Sequence, residues 1–290
     1  MHVKLWHIAA GMLLVVSSIQ CSEPDSSEIG SNPDKLGPAK INLKLWGEFY
    51  DESMIFKSEE NNVFSNSHIR QGLKIKHLPG INLFQTYVLL RYGRDLHRDF
   101  WNNKTEAGLG LRIRFFKKIF FAPYVETIWG FYNQIPKDRP QPEARQYTDL
   151  RGGFIFWYGW DKWYSPASLI TFPRHFLGEI YSELNYFRKD DDNIIFYTHV
   201  KAGVRVIRIW KCAFVGYGAM YIMKDRNRDF WNNVAEIGPG FWIKPHPDVD
   251  LKFFVEWLRG YYYDIEGRDE NPYPQIFSDR RIGILLWIGW

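Results

Sequence analysis

From Ile41 onward the chain alternates apolar and polar residues with a period of two, the mark of extended strands with two unlike faces. The pattern predicts about twelve strands, over 41–50, 67–77, 81–92, 105–116, 119–132, 147–159, 174–187, 193–209, 212–224, 234–244, 249–263 and 276–290. In 105–116, Glu106, Gly108, Gly110, Arg112 and Arg114 share one face, and Ala107, Leu109, Leu111, Ile113 and Phe115 the other. In 249–263, Lys252 and Glu256 oppose Leu251, Phe253, Val255 and Trp257. In 276–290, Asp279, Arg281 and Gly283 oppose Ile282, Ile284, Leu286, Ile288 and Trp290. Short links at 78–80, 117–118, 210–211 and 245–248 alternate with longer ones at 51–66, 93–104, 133–146, 188–193, 225–233 and 264–275. The link 160–173 breaks that alternation.

The same pattern occurs twice. Tyr147 to Trp160 (YTDLRGGFIFWYGW) returns as Phe277 to Trp290 (FSDRRIGILLWIGW), an offset of 130. RDFWNN at 98–103 returns at 228–233, and Glu106, Gly108 and Gly110 return as Glu236, Gly238 and Gly240. Farther upstream the offset is 131, where Gly47-Glu48-Phe49-Tyr50 matches Gly178-Glu179-Ile180-Tyr181. A long internal period predicts one duplicated unit, with halves of about 41–160 and 174–290 joined at 160–173.

Composition narrows the class. Aromatic residues make up 18% of the chain, yet they sit among alternating charges, and no apolar run long enough for a transmembrane helix follows the N-terminus. The net charge of +4 is dispersed rather than gathered into a basic stripe, which argues against a nucleic-acid partner. Residues 1–21 read as an export signal, with Lys4 before an apolar stretch from Ile8 to Val16. Ser18-Ile19-Gln20-Cys21 resembles a bacterial lipoprotein cleavage box, which makes Cys21 a candidate lipidation residue; plain signal cleavage near Cys21 is the alternative. Residues 22–40, rich in Ser, Pro, Asp and Gly, read as a flexible linker before a barrel at 41–290. Cys21 and Cys212 are the two cysteines, so no disulfide framework is expected.

Alternation alone does not choose between a soluble sandwich, apolar inward, and a membrane barrel, apolar outward. The export signal, the even strand number, the alternating link lengths and the aromatics near strand ends favour the barrel. The expected fold is all-β: a transmembrane antiparallel β-barrel of about 12 strands built from two duplicated six-stranded halves. The C-terminal strand, ending on Trp290, resembles the signal read by the bacterial outer-membrane barrel assembly machinery, with Trp in place of the commoner Phe. The RDFWNN segments are loosely similar to strands in the C-terminal barrels of exopolysaccharide-export and phage-adsorption outer-membrane proteins. The resemblance implies a location in the bacterial outer membrane, with membrane lipid and the assembly machinery as partners.

In such a barrel the polar face lines the lumen. Its candidate residues are Lys74, Glu106, Arg112, Arg114, Glu126, Asp149, Arg151, Glu179, Lys201, Arg205, Glu236, Lys252, Glu256, Asp279 and Arg281. A salt-bridge network filling a narrow barrel is one reading. The other is a narrow charged passage for small hydrophilic or anionic solutes, saccharides among them, with Arg and Lys setting the field. The motif residues Arg98, Trp101, Asn102, Asn103, Arg228, Trp231, Asn232 and Asn233 fall in outer loops. Trp stacking and Asn hydrogen bonds would suit a sugar, although anchoring and turn formation explain the same residues. A sealed barrel acting as a surface receptor is the first alternative, and a lipid-modifying enzyme the second. Catalysis has less support. His199 has no His-x-Ser spacing, His68, His97 and His175 read as loop or strand-end residues, and no metal or cofactor motif is present.

Overall fold

The computed structural model describes residues 42–290 except 58–60, 79–80, 98–99, 117–118, 134, 138–140, 161–175, 229–231, 247–248 and 264–274. The expected signal segment, Cys21, the linker 22–40 and most of the join at 160–173 lie outside the described residues. Twelve strands form one closed antiparallel barrel. They are β1 (Asn42–Phe56), β2 (Asn62–Leu78), β3 (Ile81–Asp95), β4 (Lys104–Arg114), β5 (Phe120–Tyr132) and β6 (Gln146–Gly159). The second six are β7 (Phe176–Phe187), β8 (Asn193–Ile209), β9 (Cys212–Asp225), β10 (Val234–Lys244), β11 (Asp250–Tyr262) and β12 (Ile276–Gly289). Each strand pairs with its sequence neighbours, and β12 closes on β1 from Glu48↔Gly289 to Phe56↔Arg281.

The sequence expectation fails at one hairpin. The segment 51–66 was expected as a long loop, but β1 runs to Phe56 and β2 starts at Asn62. The polar run that suggested a loop is paired within the sheet, Asp51 opposite Ser67 and Ser53 opposite Ser65. Ser67 donates to Asp51, and the Ser53 and Ser65 hydroxyls are 2.9 Å apart. Mutual bonding lets these outward side chains stay in a strand.

The two halves share one geometry. Tyr87 pairs with Gly110 and Tyr217 with Gly240; Gly130 pairs with Tyr147 and Gly260 with Phe277. Links 57–61 and 188–192, 79–80 and 210–211, 96–103 and 226–233, 115–119 and 245–249, and 133–145 and 263–275 match in length pair by pair. The seams match as well. Gly289 faces Glu48 where β12 meets β1, and Gly159 faces Glu179 where β6 meets β7. Trp290 exchanges two backbone hydrogen bonds of 3.0 Å with Gly47, and Trp160 N–H donates to Gly178 O at 3.0 Å. At both seams the indole lies where a glycine Cβ would otherwise project, so only glycine admits this clamp.

Burial alternates along the strands, most clearly in β4, where Glu106, Gly108, Gly110 and Arg112 are buried and Leu109 and Leu111 exposed. Val88, Leu90, Val125, Trp129, Val204, Ile237, Trp257, Ile282 and Ile288 are likewise exposed on the outer face. A belt of apolar side chains around a closed sheet with a charged interior is the inside-out arrangement of a barrel solvated by lipid. Tyr92, Trp129, Phe131, Trp257 and Tyr261 lie toward one end of it, and Phe115, Phe116 and Trp210 toward the other.

Inside, the Tyr87 ring lies over Gly110 and the Tyr217 ring over Gly240. Both rings are held by bonds to buried carboxylates, so neither can yield easily. Gly110→Ala and Gly240→Ala are each expected to destabilise the barrel by about 1–3 kcal/mol through overpacking. A shift of the urea unfolding midpoint in detergent measures this.

Candidate functional site: the barrel lumen

The inward faces of β1–β6 carry one bonded network. Arg151 reaches Glu106 at 2.6 and 2.8 Å and Asp149 at 2.7 Å. Arg91 bonds Glu106 at 2.9 Å and lies 3.7 Å from Glu126. Arg70 bridges Glu48 at 2.8 Å and Glu126 at 3.4 Å, and Arg112 joins Glu48 at 3.2 Å while bonding Gln85 at 2.9 Å. Tyr87 donates to Glu126 at 2.9 Å and Tyr147 to Glu106 at 2.6 Å. Glu106 and Glu126 are 0% and 1% exposed, so they depend entirely on these partners. A buried carboxylate is tolerable when several donors converge on it, and arginine supplies them in a planar fork.

The opposite wall, β7–β12, builds the same plan with different groups. Arg281 bonds Asp279 at 2.8 Å and also Glu236. Tyr217 and Tyr221 each donate to Glu256 at 2.7 Å, and Lys201 reaches it at 3.0 Å. Glu179 has Lys252 at 3.6 Å and His199 at 3.5 Å. Tyr221 and Trp242 occupy the positions that Arg91 and Arg112 hold on the first wall.

Midway along the lumen the repeat sets a pair of clusters that the sequence reading missed. Tyr50 donates to Glu52 at 2.7 Å and stacks on His68 at 5.2 Å. Tyr181 donates to Glu183 at 2.5 Å and stacks on His199 at 5.4 Å. His68, expected at a loop or strand end, lies inside β2 because that strand begins earlier than its polar residues suggested. The signal was present: His68 and His199 are 131 apart, the offset already relating Tyr50 to Tyr181.

A cavity of about 1080 Å³ runs through this interior. Its lining extends from Phe64, Asn66 and Trp101 at the loop end to Lys74, Lys244 and Trp287 at the turn end. Of the expected lumen residues, Lys74, Arg112, Arg114, Glu126, Arg151, Glu179, Lys201, Lys252 and Arg281 line it. Glu106, Asp149, Glu236, Glu256 and Asp279 are buried in the wall behind their partners. Arg205 is half-buried at a β-bulge in β8, outside the cavity lining. Arg114, at the cavity lining, also bonds Phe116 O at 3.0 Å and covers the Phe120 ring.

The loop motif is committed to the fold. Asn102 and Asn103 donate to Asp95 at 2.8 and 3.2 Å; Asn232 and Asn233 donate to Asp225 at 3.0 and 2.8 Å. The Asn103 and Asn233 carbonyls receive the Asp95 and Asp225 N–H groups, both at 3.3 Å. Asn62 and Asn193 accept from the following loops in the same way. Asn103 and Asn233 are buried, so their amides serve the turn. Trp101 is half-exposed and lines the cavity, packed on Phe100 at 5.1 Å. Arg228 is exposed with a left-handed φ of 62°, and Arg98 and Trp231 lie outside the described residues.

An apolar exterior, a closed ladder and a charged, partly open interior define a membrane-spanning β-barrel. No family model and no curated protein matches this chain. Solved structures overlay it over most of its length. The β domain of the Bordetella autotransporter BrkA covers 84% of this chain and 98% of its own at 11% identity, with a TM-score of 0.38. Outer-membrane expressed OmpT of Vibrio cholerae covers 87% and 99% at 7% identity and a TM-score of 0.32. The transport unit of the autotransporter AIDA-I from Escherichia coli covers 87% and 91% at 11% identity and a TM-score of 0.29. At these values the likeness adds nothing to what the closed sheet already shows.

Two substitutions probe this interior. Arg151→Leu removes the guanidinium shared by buried Glu106 and Asp149, leaving Glu106 to Arg91 and Tyr147 and Asp149 to the Lys189 N–H, and is expected to cost about 3–5 kcal/mol, read as a lower denaturation midpoint. Asn103→Ala leaves buried donors and acceptors of Asp95 unmet. It is expected to cost about 1–3 kcal/mol and to speed proteolysis within 96–103.

Proposed function

We propose that this chain is a bacterial outer-membrane barrel giving small hydrophilic solutes, saccharides among the candidates, a narrow passive passage. The observation that carries the reading is the cavity of about 1080 Å³ whose lining reaches from the loop end of the strands to the turn end. Lining by charged and aromatic side chains suits polar solutes that shed part of their water. The membrane reading rests on the apolar outer belt and the closed ladder. In that setting lipid surrounds the belt, and the strand ending at Trp290 would be what the assembly machinery engages. The role is transport rather than catalysis.

The Arg and Lys residues expected to favour anions are largely bonded to carboxylates. Their field is therefore locally compensated, and the reading is for hydrophilic solutes without a built-in anion preference at mid-lumen. A sealed barrel acting through its loops is the second reading, favoured by the fully buried Glu106, Glu126 and Glu256. Refolded protein in a planar bilayer is expected to give discrete conductance steps that scale with salt concentration. A bilayer that stays tight with inserted protein rejects the passage and favours the sealed barrel.

A further inference from the structure

Six carboxylates line the cavity: Glu48, Glu52, Glu126, Glu179, Glu183 and Asp250. Four of them bond an arginine or lysine. Among the described residues Glu52 and Glu183 bond no cation. Glu52 accepts from Tyr50, and Glu183 accepts from Tyr181 and, at 2.7 Å, from Asn185. The two are the same position of the repeat and stand on β1 and β7, opposite one another in a ring of twelve strands.

Tyr50 and Glu52 of β1 share the cavity lining with Tyr181 and Glu183 of β7, Tyr197 of β8 and Tyr221 of β9. A solute in transit therefore meets two carboxylates that no arginine or lysine bonds, set among tyrosine rings. Carboxylates attract a cation directly, and an aromatic face favours it further, most of all when the cation is organic and weakly hydrated. A charge in a cavity with low-dielectric walls acts more strongly than one in open water. Lys74, Arg114 and Lys244 belong to the turn end of the cavity, and the cations nearest this level, Arg70, Lys201 and Arg281, are bonded to Glu48, Glu256 and Glu236.

We infer that Glu52 and Glu183 are the specificity-determining residues of the passage and make it prefer cations, ammonium-type organic cations in particular. The inference rests on the passage proposed above and names its solute class. The test is the reversal potential of the full chain in a planar bilayer under a KCl gradient, with tetramethylammonium chloride as a second salt. The wild-type protein should reverse at a potential of cation sign in both salts. Glu52→Gln with Glu183→Gln, nearly isosteric changes, should lower the cation-to-anion permeability ratio about fivefold or more, the effect of one unit charge at about 4 Å in water. Conductance with anion preference in the wild type overturns the inference while the passage stands, and needs no variant. So does a ratio unchanged in a double variant whose gel mobility shows a folded barrel. A bilayer that never conducts removes the passage and the inference together.

Discussion

Within lipid, every backbone N–H and C=O must find its partner inside the protein, and the ladder between β12 and β1 is where this chain meets that demand. The other eleven pairings follow chain order and close as neighbouring hairpins or links. This one joins strands from the two ends of the sequence. Its mate between β6 and β7 has the same register, so one seam is made twice. A glycine beneath an indole marks each seam, Gly47 under Trp290 and Gly178 under Trp160.

Closure forces the polar side chains inward, and the interior must then neutralise them. It does so mostly by arginine forks on carboxylates, with tyrosine hydroxyls filling remaining acceptor sites. Such networks contribute little net stability after desolvation, but a partner removed leaves a costly orphan. They therefore act as a constraint on the register of the strands. Arg151 reaches Glu106 only if β4 and β6 keep their relative stagger across β5.

Much of this was legible in the sequence because strand alternation and membrane burial share the same period. The twelve strands, the inward set from Glu106 to Arg114, and the matched loop motif can all be seen in the residue order. Two things could not. The polar run from Asp51 to Ser67 looks like a loop because each residue alone favours one; only the cross-strand pairing, a property of two segments, makes it strand. The division of lumen carboxylates into those bonded by a cation and those bonded only by neutral donors was also hidden. Glu52 and Glu126 are alike as sequence positions, and their difference lies in whether an arginine on another strand can reach them.

The two walls keep their backbone registers but not their chemistry. The carboxylates Glu106, Glu126 and Asp149 return as Glu236, Glu256 and Asp279, whereas Arg91 and Arg112 return as Tyr221 and Trp242. Diametrically opposite strands thus differ at these two positions, a guanidinium on one wall facing an aromatic ring on the other. If the lumen is the proposed passage, whatever crosses it has an arginine-bearing wall on β3 and β4 to one side and an aromatic one on β9 and β10 to the other, so the twofold frame encloses an asymmetric interior.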